Sequence, residues 1–160
     1  MKNDLKFSGI PESRWVFPDP EQAGPDGLLA SGGDFSPATL LLAYQSGIFP
    51  WTSHPITWWS PDPRAIFEME DFYVSRRLER VIRQERFRVT FDQAFLRVME
   101  ACAAPAPGRE TTWITGLFIE GYTELHRLGY AHSIECWNQD RLVGGVYGVA
   151  IGGFFAGESM

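Results

Sequence analysis

The apolar and polar positions change character near residue 64. Between Phe17 and Arg64 the chain is dense in Pro, Gly and Trp, and one segment alone has helical periodicity. Ser36 is a suitable N-cap, Pro37 fits the first turn, and an apolar stripe over 38–46 ends at Gly47, a C′ glycine. The pattern predicts a helix there, inside a small N-terminal domain over residues 1–64. The runs 50–55 and 60–63 are expected to be shaped loops, because their prolines remove donors and restrict the residue before them.

Past Arg64 the pattern is regular. It predicts a short strand over 65–67, a helix opened by Ser75 and running to 84, and a strand over 87–91. Asp92 is expected to cap a second helix to about 103, closed by the Pro-rich loop 104–108. A third helix over 115–128 stops at Gly129. Alternation then predicts strands over 132–137, 142–151 and 154–158, joined by turns at Asn138-Gln139-Asp140 and Gly152-Gly153. Helices followed by an antiparallel meander define an α+β domain, residues 65–160, with helices on one side of a mostly antiparallel sheet. Its last strand is apolar and glycine-rich and stops at Met160 with no edge-protecting charge, so the natural domain is expected to be longer.

Composition narrows the classes. A chain of 160 residues with 44% hydrophobic content buries a core without staples. A net charge of -6 argues against non-specific coating of nucleic acid, which needs many phosphate-neutralising cations. Cys102 and Cys136 form no CxxC pair and have no metal-like spacing to His54, His126 and His132, which predicts two buried thiols and no metal. No signal-like apolar stretch opens the chain, and no run approaches the roughly 20 apolar residues of a membrane span. A soluble cytoplasmic protein is expected.

Four features bear on chemistry, each with a structural and a functional reading. The glycines at 144, 145, 148 and 157 mark either a tightly packed sheet or a flat pocket floor. Glu158, directly after an apolar run, is either a solvated strand-end carboxylate or one set in an apolar pocket against a donor-rich group. Trp51, Trp58, Trp59 and Trp113 are either lids over the core or stacking platforms for a nucleobase. Arg76, Arg77, Arg80 and Arg83, continued by Arg86 and Arg88, form a local cluster in an acidic chain. On a helix Arg76, Arg80 and Arg83 share a face, either merely wet or suited to an RNA backbone. No nucleophile elbow or activated cysteine is present, and His126 reads as a helix-end residue. If the chain is an enzyme, it works by positioning and proton handling rather than through a covalent intermediate.

In order and spacing, the stretches FPDP, GLLASGGDFSP, LLLAYQSGIFPW, WWSPDPRA, TTWIT, YTELHRLGYAHSIE, LVGGVYGVA and FFAGESM make the chain resemble the leucyl/phenylalanyl-tRNA–protein transferases from Phe17 onward. The resemblance implies an acetyltransferase-like fold after the N-terminal domain, and no cofactor. It implies transfer of Leu, Phe or less readily Met from aminoacyl-tRNA to proteins with N-terminal Arg or Lys, marking them for N-degron degradation. By the same resemblance, Trp51 and Trp113 line the site for the terminal adenosine and aminoacyl group, and Tyr44 and Tyr122 are supporting hydroxyls. Glu158 holds the substrate, Val146 and Phe155 wall the aminoacyl side-chain pocket, and Arg76, Arg77, Arg80 and Arg83 seat the acceptor stem. Family members continue past GESM to an Asp-x-Gln proton-handling motif that this chain does not contain. A catalytically silent aminoacyl-tRNA-binding fragment is therefore the alternative reading, and a small-molecule acyltransferase ranks last.

Overall fold

The structure, a computed structural model, describes residues 10–160; the sequence reading of the first nine residues lies outside them. The smaller of two antiparallel sheets contains β1 (Leu28–Ser31), β2 (Phe49–Ser53) and β3 (Ile56–Trp59) in the order β1-β3-β2, with α1 (Pro37–Gln45) inserted between β1 and β2. After the exposed helix α2 (Arg76–Arg83) comes the larger sheet, β4 (Arg88–Phe91), β5 (Ala131–Asn138), β6 (Arg141–Ile151) and β7 (Phe154–Ser159), ordered β4-β5-β6-β7. Helices α3 (Phe95–Ala103) and α4 (Gly116–Arg127) connect β4 to β5. They lie with α1 on one face of that sheet, so the α+β class with helices on one side is the observed architecture. One core runs through both sheets, with Leu40, Leu41, Phe118, Tyr122, Leu125 and Tyr147 fully buried.

Local chemistry explains the helix ends. Ser36 Oγ accepts from Thr39 N, Pro37 occupies the first turn, and Gly47 supplies the left-handed φ of 74° that stops α1. Upstream, Asp34 accepts from Ser36 N at 3.0 Å, Thr39 Oγ1 at 2.8 Å and Trp15 Nε1 at 2.8 Å. Burial pushes its carboxyl up, but these bonds outweigh that and hold it at about 2. Glycine at 145 reflects close packing: a Cβ there would lie 2.8 Å from Val98 Cγ2 of α3.

Four expectations need correction. Residues 65–67 form no strand; Ile66 and Phe67 are 65% and 85% exposed, and no described strand pairs with them. Residues 50–55 are not an irregular loop but most of the β2–β3 hairpin; Pro50 is tolerated because β2 is an edge strand. Asp92 does not cap α3, because its φ of 57° is left-handed, whereas an N-cap is extended; its carboxylate instead accepts from Ser133 N and pairs with His132 Nδ1, both at 2.8 Å. Cys136 is only half-buried, on the sheet face away from the helices, whereas Cys102 is buried in α3. His126 is a helix-end residue as read: it donates from Nδ1 to Ala131 O at 2.8 Å and stacks on Phe95.

The turn that leads into α3 is held from across the sheet. Glu135, fully buried on β5, accepts from Thr90 Oγ1, from Ser133 Oγ at 2.5 Å, and from the backbone N–H groups of Ala94 (3.3 Å) and Gln93 (3.4 Å). Burial alone would raise this carboxyl, yet these donors hold it below its ordinary value of 4.5. A depressed folded-state value means the stabilisation is complete above about 4.5 and is lost as pH falls through the folded-state value. Glu135→Ala, which strands these donors in the core, is expected to cost about 3 kcal/mol or more in denaturant unfolding. Glu135→Gln should flatten the acid limb of the melting temperature against pH. An unchanged acid limb in that variant would show that the carboxylate does not organise the β5–α3 junction.

Candidate active site

A cleft of about 330 Å³ opens where β2, the segment before α4 and the end of β7 converge, lined by Phe49, Pro50, Trp51, Arg64, Trp113, Gly157 and Glu158. Trp51 projects from the free edge of the smaller sheet, 48% exposed, with its ring 5.1 Å from that of Trp59 at an interplanar angle of 62°. Trp113 stands edge-on to Phe118 at 4.9 Å. A hydrogen bond from Thr115 Oγ1 to the buried Ser53 Oγ, 3.0 Å long, ties the Trp113 segment to the Trp51 strand. The two indoles are therefore held at one opening by parts of the chain about sixty residues apart.

Glu158 reaches the same place through an irregularity in β7. Gly148 pairs with Gly157, but Tyr147 pairs with Ser159, so Glu158 is the extra, unpaired residue of a β-bulge. A Cβ on Gly148 would approach Ala156 O to 2.2 Å, which explains glycine beside the bulge. The side chain of Glu158 meets the Tyr44 hydroxyl, which also bonds the hydroxyl of Tyr122; Tyr44 comes from α1 and Tyr122 from α4. Both tyrosines are buried, and the Tyr147 hydroxyl beside them is buried with no hydrogen-bond partner among the described residues.

Burial pushes the Glu158 carboxyl up to about 7, even though the Tyr44 hydroxyl and the Arg64 charge favour its ionised form. The three phenols are driven well above their ordinary range, first by burial and then by the neighbouring Glu158 carboxylate, so they are donors and not bases. The cleft thus couples stacking surfaces to one carboxyl that changes protonation near neutrality, backed by a fixed hydroxyl network. Such a group suits proton handling at physiological pH. Among the described residues no His/Cys/Asp/Glu cluster is arranged to hold a metal ion.

Of the residues singled out from sequence, Trp51, Trp113 and Glu158 line the cleft, and Tyr44 and Tyr122 stand directly behind it. Trp58 is core, 1% exposed, with Nε1 donating to Gly32 O at 2.7 Å. Val146 and Phe155 do not join the cleft. Strand alternation puts Val146 on the sheet face opposite the buried Tyr147, and the Phe155 ring lies on that face beside Gly148. Arg76, Arg77, Arg80 and Arg83 occupy α2, whose residues are exposed apart from the half-buried Val81; Arg83 is ion-paired with Glu79 at 2.5 Å. Arg64 was missed by the sequence reading. It donates from Nη1 to Gly47 O at 2.8 Å and lies 4.7 Å from the Phe49 ring centroid. It stands in WWSPDPRA, five residues after Trp59, but nothing in that stretch marks its place in the cleft.

Fold and cleft together define an α+β protein with an aromatic binding site organised around a near-neutral carboxyl. The family model described as leucyl/phenylalanyl-tRNA protein transferase matches residues 66–160, and the model of that family's N-terminal domain matches residues 33–62. The chain belongs to this family. It is 53% identical over 154 residues to a leucyl/phenylalanyl-tRNA–protein transferase of Nitratidesulfovibrio vulgaris strain DP4, covering 94% of this chain and 66% of that protein. It is 55% identical over 148 residues to the Pseudomonas syringae pv. tomato protein (90% and 65% covered) and 56% identical over 147 residues to that of Anaeromyxobacter sp. strain Fw109-5 (90% and 63%). The chain thus spans just under two thirds of the length of these relatives.

A raised folded-state value makes Glu158 stabilising below about 4.5 and progressively costly as pH rises toward about 7. The ¹³C carboxyl resonance of Glu158 is expected to titrate near pH 7, and Tyr44→Phe, which deletes the hydroxyl favouring the anion, should move the midpoint higher. Glu158→Gln should remove the decline in melting temperature over that interval. A midpoint in the ordinary carboxylate range, indifferent to Tyr44→Phe, would refute the described environment.

Proposed function

We propose that the chain acts in aminoacyl transfer, moving Leu, Phe and less readily Met from aminoacyl-tRNA to the α-amine of proteins that begin with Arg or Lys, in the cytoplasm, and so marking them for N-degron degradation. The observation that carries this reading is the convergence of Trp51, Trp113 and Glu158 on one cleft, with the Tyr44–Tyr122 pair behind the carboxyl. Family membership supports it.

The chemistry asks little of the protein beyond placement. An aminoacyl ester is already activated; the acceptor amine attacks its carbonyl carbon, a C–N bond forms, the ester C–O bond breaks, and the terminal ribose leaves as its alcohol. Trp51 and Trp113 hold the terminal adenosine by stacking, which contributes roughly 1–3 kcal/mol per base. Glu158 receives a hydrogen bond from the amine, and its near-neutral value lets it take the proton the amine must shed. Holding the reacting groups together supplies the rest. Arg76, Arg77, Arg80 and Arg83 contact the acceptor stem through its phosphates, positioning it without reading sequence. The division into an N-terminal domain over 1–64 and a transferase domain over 65–160 belongs to the same proposal.

A second reading, aminoacyl-tRNA binding without turnover, is favoured by one observation. Val146 and Phe155, the expected walls of the aminoacyl side-chain pocket, lie on the sheet face opposite Tyr147 and not in the cleft. Transfer of labelled Leu or Phe from charged tRNA to a peptide beginning with Arg separates the readings. Transfer by this chain, reduced about 100-fold by Glu158→Gln, is the expected result; tRNA binding with no product would establish the second reading. In either case, neutralising the four α2 arginines should flatten the salt dependence of tRNA affinity by roughly one unit of slope for each phosphate that they neutralise. An unchanged slope would remove α2 from the tRNA interface.

A further inference from the structure

We propose that Arg64 is a phosphate seat: its guanidinium holds the phosphodiester that joins the terminal nucleoside of the substrate to the nucleotide before it. The inference rests on the proposed stacking of that nucleoside between Trp51 and Trp113, and it assigns a role to the charged cleft residue that the aminoacyl-transfer reading leaves without one.

Three observations carry it. Among the described residues lining the cleft, Arg64 is the one cation, and it shares the opening with both indoles. It is also held in place: Nη1 donates to Gly47 O at 2.8 Å, and the guanidinium carbon lies 4.7 Å from the Phe49 ring centroid. One donor and one planar face are committed to the protein, while a guanidinium carries five N–H donors in a rigid fork matched to phosphate oxygens. An arginine fixed in this way loses less conformational freedom on binding than a mobile surface lysine does. Finally, the cleft is polarised. Glu158 at one part repels an anion and attracts an amine, whereas Arg64, close enough to favour the ionised carboxylate, does the reverse. A nucleotide with its phosphate on Arg64 leaves Glu158 to the acceptor amine, whereas the reversed orientation would set the phosphate against the carboxylate.

The alternative role for Arg64 is purely internal: neutralising Glu158 and closing the end of α1 through Gly47. The two roles separate on a probe that differs by the phosphate alone. The full chain is titrated with adenosine and with adenosine 5′-monophosphate, following the indole N–H resonances of Trp51 and Trp113. The monophosphate is expected to bind at least about tenfold more tightly at low salt, as charge-assisted bidentate bonds imply. Arg64→Gln should bring the ratio of the two affinities toward one, Arg64→Lys should retain part of it, and Trp51→Ala should weaken both ligands in parallel. Equal affinities for the unaltered chain, or a ratio that survives Arg64→Gln, would overturn the phosphate seat while leaving the adenosine site standing. If neither compound moves the indole resonances, the adenosine site itself falls and the phosphate seat with it. Should Arg64→Gln fail to fold, the ratio in the unaltered chain and in Arg64→Lys still decides.

Discussion

The Tyr44 hydroxyl is where three parts of the chain meet through hydrogen bonds. It bonds Tyr122 of α4 and the carboxyl of Glu158 on β7 from its own position near the end of α1, so the helix of the smaller unit, the helix layer and the last strand meet at a single oxygen. The contact is buried, and an unmet hydroxyl or carboxyl there would carry a full desolvation cost. Moving α1 relative to α4 strands the tyrosines; moving β7 strands the carboxyl. The same constraint locates the cleft, because the strand that follows α1 is the one that carries Trp51, and the segment that leads into α4 is the one that carries Trp113.

The bulge in β7 makes this junction possible. In an unbroken ladder Glu158 would sit opposite Tyr147 and its backbone would be committed to the sheet. The register shift hands that partnership to Ser159 and leaves Glu158 unpaired, at the sheet's free edge. Gly148, across the ladder, accommodates it, because the neighbouring carbonyl leaves no room for a Cβ, and Gly157 beside the bulge forms part of the cleft wall. The glycine-rich stretches therefore answer to both sequence readings: tight packing under α3 at Gly145, and a pocket surface at Gly157.

Elements with local causes were legible in the sequence. The Ser36-Pro37 start and Gly47 stop of α1, the Ser75 cap of α2, the glycine stop after α4 and the three-strand meander all follow from caps, turns and periodicity, and all are present. What escaped was decided by distant partners. The β2–β3 hairpin looked like loop because its prolines are acceptable only on an edge, and which strand forms an edge is a property of the sheet. Asp92 looked like a cap because its side chain is of the capping type, but its partners Ser133 and His132 lie on β5, about forty positions further along. The aromatic and carboxyl members of the site were visible through resemblance to a family, whereas Arg64 was not, since its importance comes from facing Glu158 and Phe49, which no spacing reveals.

An acidic chain proposed to engage a polyanion presents an apparent conflict, and charge placement resolves it. The net charge of -6 is a property of the whole surface, but exposed charges act over a Debye length of about 8 Å at physiological salt, so the sign of the local surface governs each contact. The arginines are gathered on α2, whose opposite stripe carries Leu78 and Ile82, and Glu79 offsets only the positive charge of Arg83. On the proposed function the acidic background has a use: it opposes non-specific retention of nucleic acid outside these places, so affinity would depend on an RNA end that reaches α2 and the cleft together. On that reasoning, adding positive charge elsewhere on the surface would strengthen binding to every RNA while lowering the discrimination that the present distribution provides.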